Sequence, residues 1–482
     1  MTHPLFDADS LHEECGVFGI FDHVDAGALS VLGLHALQHR GQEAAGIVTF
    51  DKGQFIAERH IGLVGDVFGR NSTAASNLKG RNAVGHVRYS TAGGSNARNI
   101  QPIFADLYGG GIAVAHNGNL TNAHALRAEL VAQGAIFQST SDTETIVHLA
   151  ARSPAPRIVD KLIDALRQVE GAYSLVALTS KKLIGVRDPF GVRPLVLGLL
   201  EGAPILASET CALDIIGAEF LRDVEPGELI VVTEKGIESY FPFKPQPHRL
   251  CVFEYIYFAR PDSTLEGRNI YEARQAIGRV LAEEAPANAD LVVPVPDSGV
   301  PAALGFATRA GIPFELGIIR NHYVGRTFIE PSDRIRHLGV RLKHSPNRAK
   351  LKGQRVILVD DSIVRGTTSR KIVEMVRDAG AREVHFRVAS PPTTHSCFYG
   401  VDTPTTGELL AHRMDVEEMR QFIGADSLAF ISMDGLYSAM GAGERGAKRF
   451  CDACFSGDYP IALTDATGGT RGRQLSLLAD VA

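Results

Sequence analysis

Apolar runs bounded by Gly, Asn and Asp recur through the first half of the chain: CGVFGIF (15 to 21), AAGIVTF (44 to 50), AVGHVRYS (83 to 90) and GIAVAHNG (111 to 118). Their length and boundaries predict strands. Between them, residues 28–39, 122–133 and 157–169 space their apolar positions three and four apart, which predicts helices. Two strand-rich stretches follow at 172–188 and 228–240. This half reads as α+β with layered sheets. The segment FPFKPQPHRL (241 to 250) is stiff and poor in backbone donors, as a linker is. Beyond it the pattern changes to strand, loop and helix at 291–311, and again at 355–380 before a strand at 382–390. Such units predict a mainly parallel sheet with right-handed crossovers. Ligands bind beyond the C-terminal strand ends of such sheets, where the loops DSGV and DDSIVRGTTS fall. No solenoid-type repeat is present, and the last twenty residues, rich in Thr, Gly and Asp, read as a mobile tail.

At roughly 150 residues per domain, the 482 residues make about three domains' worth of length, or two large domains. With 45% hydrophobic and 22% charged residues the chain is globular, not disordered or collagen-like. Against 55 Asp and Glu stand 49 Lys and Arg, and the formal charge of −6 argues against a general nucleic-acid binder. No run approaches the ~20 apolar residues of a membrane span. The start, MTHPLFDADSLHEE, is acidic without an apolar core, so it is no secretory signal, and a cytoplasmic location is expected. Six cysteines are too few for a disulfide scaffold.

Cys15 opens the first strand run, and on composition alone it would be a small core residue. Its surroundings point elsewhere. The stretches LQHRGQEAAGI (37 to 47), HVRYSTAG (86 to 93), HNGNL (116 to 120) and SDTE (141 to 144) put polar residues and Gly at predicted strand ends, where packing has little use for them. In this order they resemble the class II, N-terminal-nucleophile glutamine amidotransferases, whose fold is a layered αββα sandwich. The resemblance implies that Cys15 attacks the glutamine amide and that its free α-amino group, with a pKa of roughly 7.7 to 8.0, serves as base. It implies an oxyanion hole from the Asn117 side chain and the Gly118 N–H, with Arg88 on the substrate α-carboxylate and Asp142 on its α-ammonium. A free amine at Cys15 requires cleavage after Glu14, so residues 1–14 are expected to be a propeptide.

In VILVDDSIVRGTTS (356 to 369) a buried strand delivers Asp360 and Asp361, and a turn with Gly366, Thr367 and Thr368 opens a helix. Backbone N–H groups and hydroxyls there make a phosphate cradle, and the acids suit ribose hydroxyls or Mg²⁺. No Walker loop occurs. The motif resembles that of type I phosphoribosyltransferases, α/β domains with a mainly parallel sheet. The resemblance places Ser298, in VPDSGVPAA (295 to 303), with Asp360 and Asp361 around the metal. The segment 320–348 carries seven Arg or Lys against Glu330 and Asp333. With few interleaved aromatics it reads as a loop closing over pyrophosphate rather than a nucleic-acid patch.

The pair Cys451 and Cys454 forms a CxxC, and Cys251 and Cys397 supply two more thiols. Taken together, the chain from about residue 15 to 460 resembles the iron-sulfur-containing branch of the amidophosphoribosyltransferase family. That resemblance implies a [4Fe-4S] cluster on these four cysteines, although spacing alone does not separate it from a four-cysteine zinc site. Cys211 reads as a core residue. The implied organisation is a propeptide (1–14), a glutaminase domain (15–245), a phosphoribosyltransferase domain (246–460) and a tail (461–482). The implied reaction converts phosphoribosyl pyrophosphate, glutamine and water into 5-phosphoribosylamine, glutamate and pyrophosphate, the first step of purine synthesis, with ammonia carried through an internal passage. Purine nucleotides as inhibitors and a homotetramer are also implied. The rival readings are a class II amidotransferase with another acceptor, a stand-alone phosphoribosyltransferase, and a non-catalytic phosphoribosyl pyrophosphate sensor.

Overall fold

The computed structural model describes residues 12–13, 15–69, 72–89, 97–321, 344–443, 445–447 and 449–467. Most of the segment read as a propeptide and most of the basic loop within 320–348 lie outside these residues.

The first half is a four-layer sandwich. A seven-stranded sheet runs in the order Glu219–Asp223, Val196–Leu200, Ala203–Ala207, Gly16–Ile20, Asn82–Arg88, Ala44–Asp51, Gln54–Ile61. A six-stranded sheet runs Gly236–Tyr240, Leu229–Thr233, Leu183–Arg187, Gly171–Thr179, Gly110–Leu120, Ile103–Leu107. Alternation along one strand shows how the layers arise. Val17 points between the sheets with Val84 and Val176, while Phe18 and Ile20 point outward with Leu34 of the helix Ala26–Ala36. The other outer layer is the helices Thr143–Arg152 and Ile158–Leu166, packed through Ile146, Leu149, Leu162 and Leu166. Central strands are therefore buried on both faces, which is why they read as unbroken apolar runs. The expected strands and helices of this half are present. The helix Thr143–Arg152 and the strands at 103–107, 196–200, 203–207 and 219–223 are additional.

The second half holds a parallel sheet ordered Leu291–Pro294, Arg355–Asp360, Glu383–Val388, Ser427–Phe430. Val292, Ile357 and Val359 face one core with the helices Ile270–Glu284 and Val300–Ala310, and Val293, Val356 and Leu358 face another with Thr367–Asp378. The Pro-rich linker ends in a short strand, Leu250–Cys251, parallel to Phe450–Cys451. Residues 461–467, expected to begin a mobile tail, are instead docked. Thr464–Thr467 forms a helical turn, and Asp465 N donates to Thr121 O in the first half at 2.9 Å. Ile461 and Leu463 pack on the second-half core and long-range hydrogen bonds complete the hold, but two apolar residues are too few to show a period. Residues 468–482 lie outside the described set. No helix among the described residues is long and apolar enough to cross a membrane.

Between the halves lies a fully buried ion network. Arg40 Nε binds Glu209, and Arg40 Nη2 lies 2.7 Å from Glu254 Oε2. Arg193 Nη1 reaches Glu254 Oε1 at 3.2 Å, and all four side chains have zero exposure. Burial opposes ionisation of Glu209, but Arg40 and His39 beside it outweigh that and hold its carboxyl well below the usual range. Removing one member of such a network leaves buried charge uncompensated. Glu254→Ala takes away the carboxylate shared by two guanidinium groups and is expected to destabilise the protein by about 3 kcal/mol. A thermal unfolding midpoint equal to that of the parent would contradict this.

Candidate functional site

Two polar clusters stand at strand ends, one in each half. In the first, Cys15 precedes the strand Gly16–Ile20, which pairs antiparallel with Asn82–Arg88 so that Gly16 faces Val87. Cys15 and Arg88 thus emerge at the same sheet end. Cys15 is 8% exposed with φ +77°, a conformation that residues with a Cβ rarely adopt. Its N–H donates to Arg40 O at 3.1 Å, and its Sγ lies 4.0 Å from Tyr89 O. Arg88 is buried.

Across the sandwich, the strand Gly110–Leu120 carries Asn117 and Gly118 opposite Ser174 and Tyr173. His86 Nε2 meets His116 O at 3.1 Å, which brings the strand end bearing Arg88 against the one bearing Asn117. Burial drives the His86 pKa down to about 3, so this contact is made by a neutral ring. Asn117 has zero exposure, yet neither its Oδ1 nor its Nδ2 has a hydrogen-bond partner among the described residues. A buried polar group left unpaired costs about 1–3 kcal/mol and calls for a partner that arrives from outside. Gly118 has φ +138°, and a Cβ there would lie 2.1 Å from Ala172 O, so only glycine fits. Its neighbour sequence HNGNL therefore combines an unspent amide with an obligatory glycine.

Asp142 caps the helix Thr143–Arg152. Its Oδ1 accepts from Thr143 N at 2.8 Å and its Oδ2 from Leu120 N at 3.0 Å, which ties it to the same strand end as Asn117. Burial opposes its ionisation, but His116 and the two backbone N–H groups prevail and lower its pKa. The geometry thus gathers a thiol, an unpaired amide, a cation and an anion around one end of the sandwich. That set has the charge pattern of an amino-acid zwitterion and the donors an oxyanion needs.

The second cluster lies at the C-terminal ends of two parallel strands, where Pro294 pairs with Val359. Asp360 and Asp361 are both buried, and Ser298 and Ser362 hydrogen-bond to Asp361. Burial raises the Asp361 pKa, while those hydroxyls and Arg274 act against the rise. Gly366, at φ +77°, starts the helix Thr367–Asp378, so its first-turn N–H groups and the hydroxyls of Thr367 and Thr368 sit at one phosphate-sized corner. Arg320 pairs with Asp297 beside this corner; residues 322–343 lie outside the described set.

Sequence reasoning missed the residues between the clusters. Buried Arg274 donates to Tyr255 O at 2.9 Å and Ala259 O at 2.8 Å, and its charge attracts Asp361, Glu209 and Glu254. Burial lowers its pKa to about 10. One short π-helix, Glu254–Phe258, therefore touches the charge network beside Cys15 on one side and the guanidinium facing Asp361 on the other. The available signal was a lone Glu inside the apolar run CVFEYIYFA (251 to 259).

The thiols of Cys251, Cys397, Cys451 and Cys454 share one neighbourhood. Cys251 and Cys451 are register partners, and Thr394 N and His395 N both donate to Cys454 O at 3.0 Å. Burial pushes the Cys251 thiol up to about 12 and those of Cys451 and Cys454 well above the usual range, with the neighbouring thiols adding to each rise. Cys397 is partly exposed. Among the described residues no three His, Cys, Asp or Glu side chains already stand at metal-ligand spacing. Cys211 lies apart, buried near Glu209 and Ala36.

Comparison with known proteins finds one matching domain family in each half. Residues 86–214 match the glutamine amidotransferase domain family and residues 266–390 the phosphoribosyl transferase domain family. The chain is 60% identical to an amidophosphoribosyltransferase of Rhizobium etli, over 99% of this chain and 98% of that protein. It is 48% identical to that of Bacillus subtilis, over 96% and 97%. The solved B. subtilis glutamine phosphoribosylpyrophosphate amidotransferase, in complex with ADP and GMP, superposes with a TM-score of 0.89 at 47% identity, over 93% of this chain and 98% of that one. With its two clusters in two halves matched along nearly the whole length, the chain belongs to the amidophosphoribosyltransferase family.

Proposed function

We propose that the first cluster hydrolyses glutamine and that the second transfers the released ammonia to phosphoribosyl pyrophosphate, giving 5-phosphoribosylamine, glutamate and pyrophosphate. The observation that carries this reading is the buried Asn117 amide without a partner, beside a position that only glycine can occupy. In the reaction, Cys15 Sγ attacks the glutamine carboxamide and the α-amine takes the thiol proton. Asn117 Nδ2 and Gly118 N–H receive the oxyanion. Ammonia leaves with a glutamyl thioester on Cys15, and water then frees glutamate. Arg88 and Asp142 hold the two charged ends of the amino acid throughout. Cys15 N already donates to Arg40 O, so an α-amine released by cleavage after Glu14 keeps a fixed hydrogen bond with its lone pair directed elsewhere.

In the second half, the N–H groups and hydroxyls of Gly366, Thr367 and Thr368 receive the 5-phosphate, and Asp360 and Asp361 hold the ribose hydroxyls. Three oxygen donors, Ser298, Asp360 and Asp361, suit Mg²⁺, and a cation there would offset the burial that raises the Asp361 pKa. When bound, Mg²⁺ supplies charge stabilisation of the departing pyrophosphate. Ammonia in water at neutral pH is mostly protonated and is then no nucleophile, so the reading includes a shielded internal passage that carries it from the first cluster to the second. The four cysteines fit a thiolate-binding centre, [4Fe-4S] or Zn²⁺, because a metal takes their thiolate forms and removes the mutual opposition to ionisation. Nucleotide inhibition is proposed by analogy with the ADP- and GMP-bound B. subtilis protein, and a homotetramer and a cytoplasmic location complete the reading.

Three outcomes are expected. Cys15→Ala abolishes glutamine-dependent synthesis and spares ammonia-dependent synthesis, whereas Asp361→Asn depresses both; loss of both activities in Cys15→Ala would remove the two-site account. Intact mass of active protein should begin at Cys15, and the glutamine-dependent rate should climb from pH 7 to 8.5 as an amine of pKa roughly 7.7 to 8.0 deprotonates; active protein that retains residues 1–14 would exclude the amine as base. Purified protein should contain about four iron atoms or one zinc per chain, lost in Cys451→Ser. Protein free of both metals and fully active would refute the proposed centre.

A further inference from the structure

The strand bearing Asn117 and Gly118 runs through Thr121 directly into the helix Ala123–Ala132. The first N–H groups of any helix need acceptors from outside it. Here the N-cap residue, Asn122, does not supply one: its side chain donates to Gln168 O at 3.0 Å and accepts from Glu170 N at 2.9 Å. The acceptors come instead from Asp465, 341 positions further along the chain. His124 N donates to its Oδ2 at 2.8 Å and Ala125 N to its Oδ1 at 3.1 Å. Asp465 N returns a bond to Thr121 O at 2.9 Å, and Thr464 Oγ1 donates to Glu170.

The segment that carries Asp465 is anchored in the second half. Tyr399 Oη donates to Ile461 O at 2.5 Å and accepts from Ile461 N at 3.0 Å, and Tyr459 Oη donates to Ser396 O at 2.5 Å. The loop holding Ser396 and Tyr399 grips the same strand end from another side. Phe398 O accepts from Asn119 Nδ2 at 2.9 Å, and Gly400 approaches so closely that a Cβ on it would lie 2.9 Å from Gly118 Cα. Residues 117–125 are thus held at both ends by second-half groups, while the Asn117 side chain has no hydrogen bond of its own to fix it.

We propose that residues 459–467 are a clasp through which the phosphoribosyl half fixes the oxyanion turn of the glutaminase half, with Asp465 as its positioning residue. The inference rests on the oxyanion role given to Asn117 and Gly118. Oxyanion donors act only within a few tenths of an ångström of their productive positions. Opening the clasp releases the first turn of the helix and Thr121 O, three positions beyond Gly118, and leaves Asn117 and Gly118 to their strand pairing with Ser174 and Tyr173. Glutamine hydrolysis then depends on a C-terminal segment that touches neither substrate.

The test compares Asp465→Ala and Asp465→Asn in the full chain. Glutamine-dependent and ammonia-dependent rates are measured on the same preparations, with amide exchange followed over residues 117–125. For Asp465→Ala, kcat with glutamine should fall about tenfold and KM for glutamine change less than about threefold. The ammonia-dependent rate should match the parent, and exchange should quicken at 117–125. Asp465→Asn should recover only part of the loss, since its one amide oxygen can accept from His124 N or Ala125 N while its Nδ2 cannot accept from the other. A parallel fall in both rates, failure to fold, or an unchanged kcat with glutamine would each make Asp465 a stability residue and overturn the clasp. The functional reading fails separately: Asn117→Ala with a parental glutamine rate would remove the oxyanion role, whatever Asp465 does.

Discussion

Four charged side chains with no access to solvent, Arg40, Glu209, Arg193 and Glu254, occupy the boundary between the two halves. Each charge costs several kcal/mol to desolvate, and the cost is offset only when every partner is in place. Arg40, Arg193 and Glu209 come from the first half and Glu254 from the second, so the network is complete only in the docked arrangement. Its members also reach outward. Arg40 O accepts the Cys15 N–H, and Arg193 donates to Tyr399 O and Gly400 O on the loop that packs against Gly118. The position of the Cys15 thiol and that of the strand end bearing Asn117 and Gly118 are both referred to one buried cluster of charge.

That arrangement explains how two unlike chemistries share one chain. A thioester must be hydrolysed by water at one site, while water must be kept from the ribosyl centre at the other. The π-helix Glu254–Phe258 separates them with apolar faces on Phe253, Ile256 and Phe258, and its Glu254 and its carbonyls engage Arg40, Arg193 and Arg274. In a low-dielectric wall the fields of these groups act over longer distances than in water. Arg40 thus acts on Glu209 within the network, and Arg274, attracted by both Glu254 and Asp361, links the network to the second cluster.

Much of the architecture was legible in the chain. Runs such as CGVFGIF and VILV are apolar throughout because their strands are buried on both faces, and the polar residues after them mark the candidate functional loops. The pattern HNGNL stood out because an Asn and an obligatory Gly interrupt an apolar strand. The helix Thr143–Arg152 escaped notice although its N-cap, Asp142, was singled out for its charge. The docking of 461–467 is not legible locally because it joins two apolar residues, Ile461 and Leu463, to bonds made by Asp465 with Thr121, His124 and Ala125, all distant along the chain.

Local periodicity was enough to read the residue types at strand ends and the two kinds of sheet, together with the glycines that local backbone geometry demands. Only the tertiary structure decided which charges meet, that Arg40 faces Glu254 and that Asp465 caps a helix 341 positions away. Hydrogen bonds and desolvation depend on neighbours in space. Nothing in the residues beside Glu254 or Asp465 along the chain carries that information.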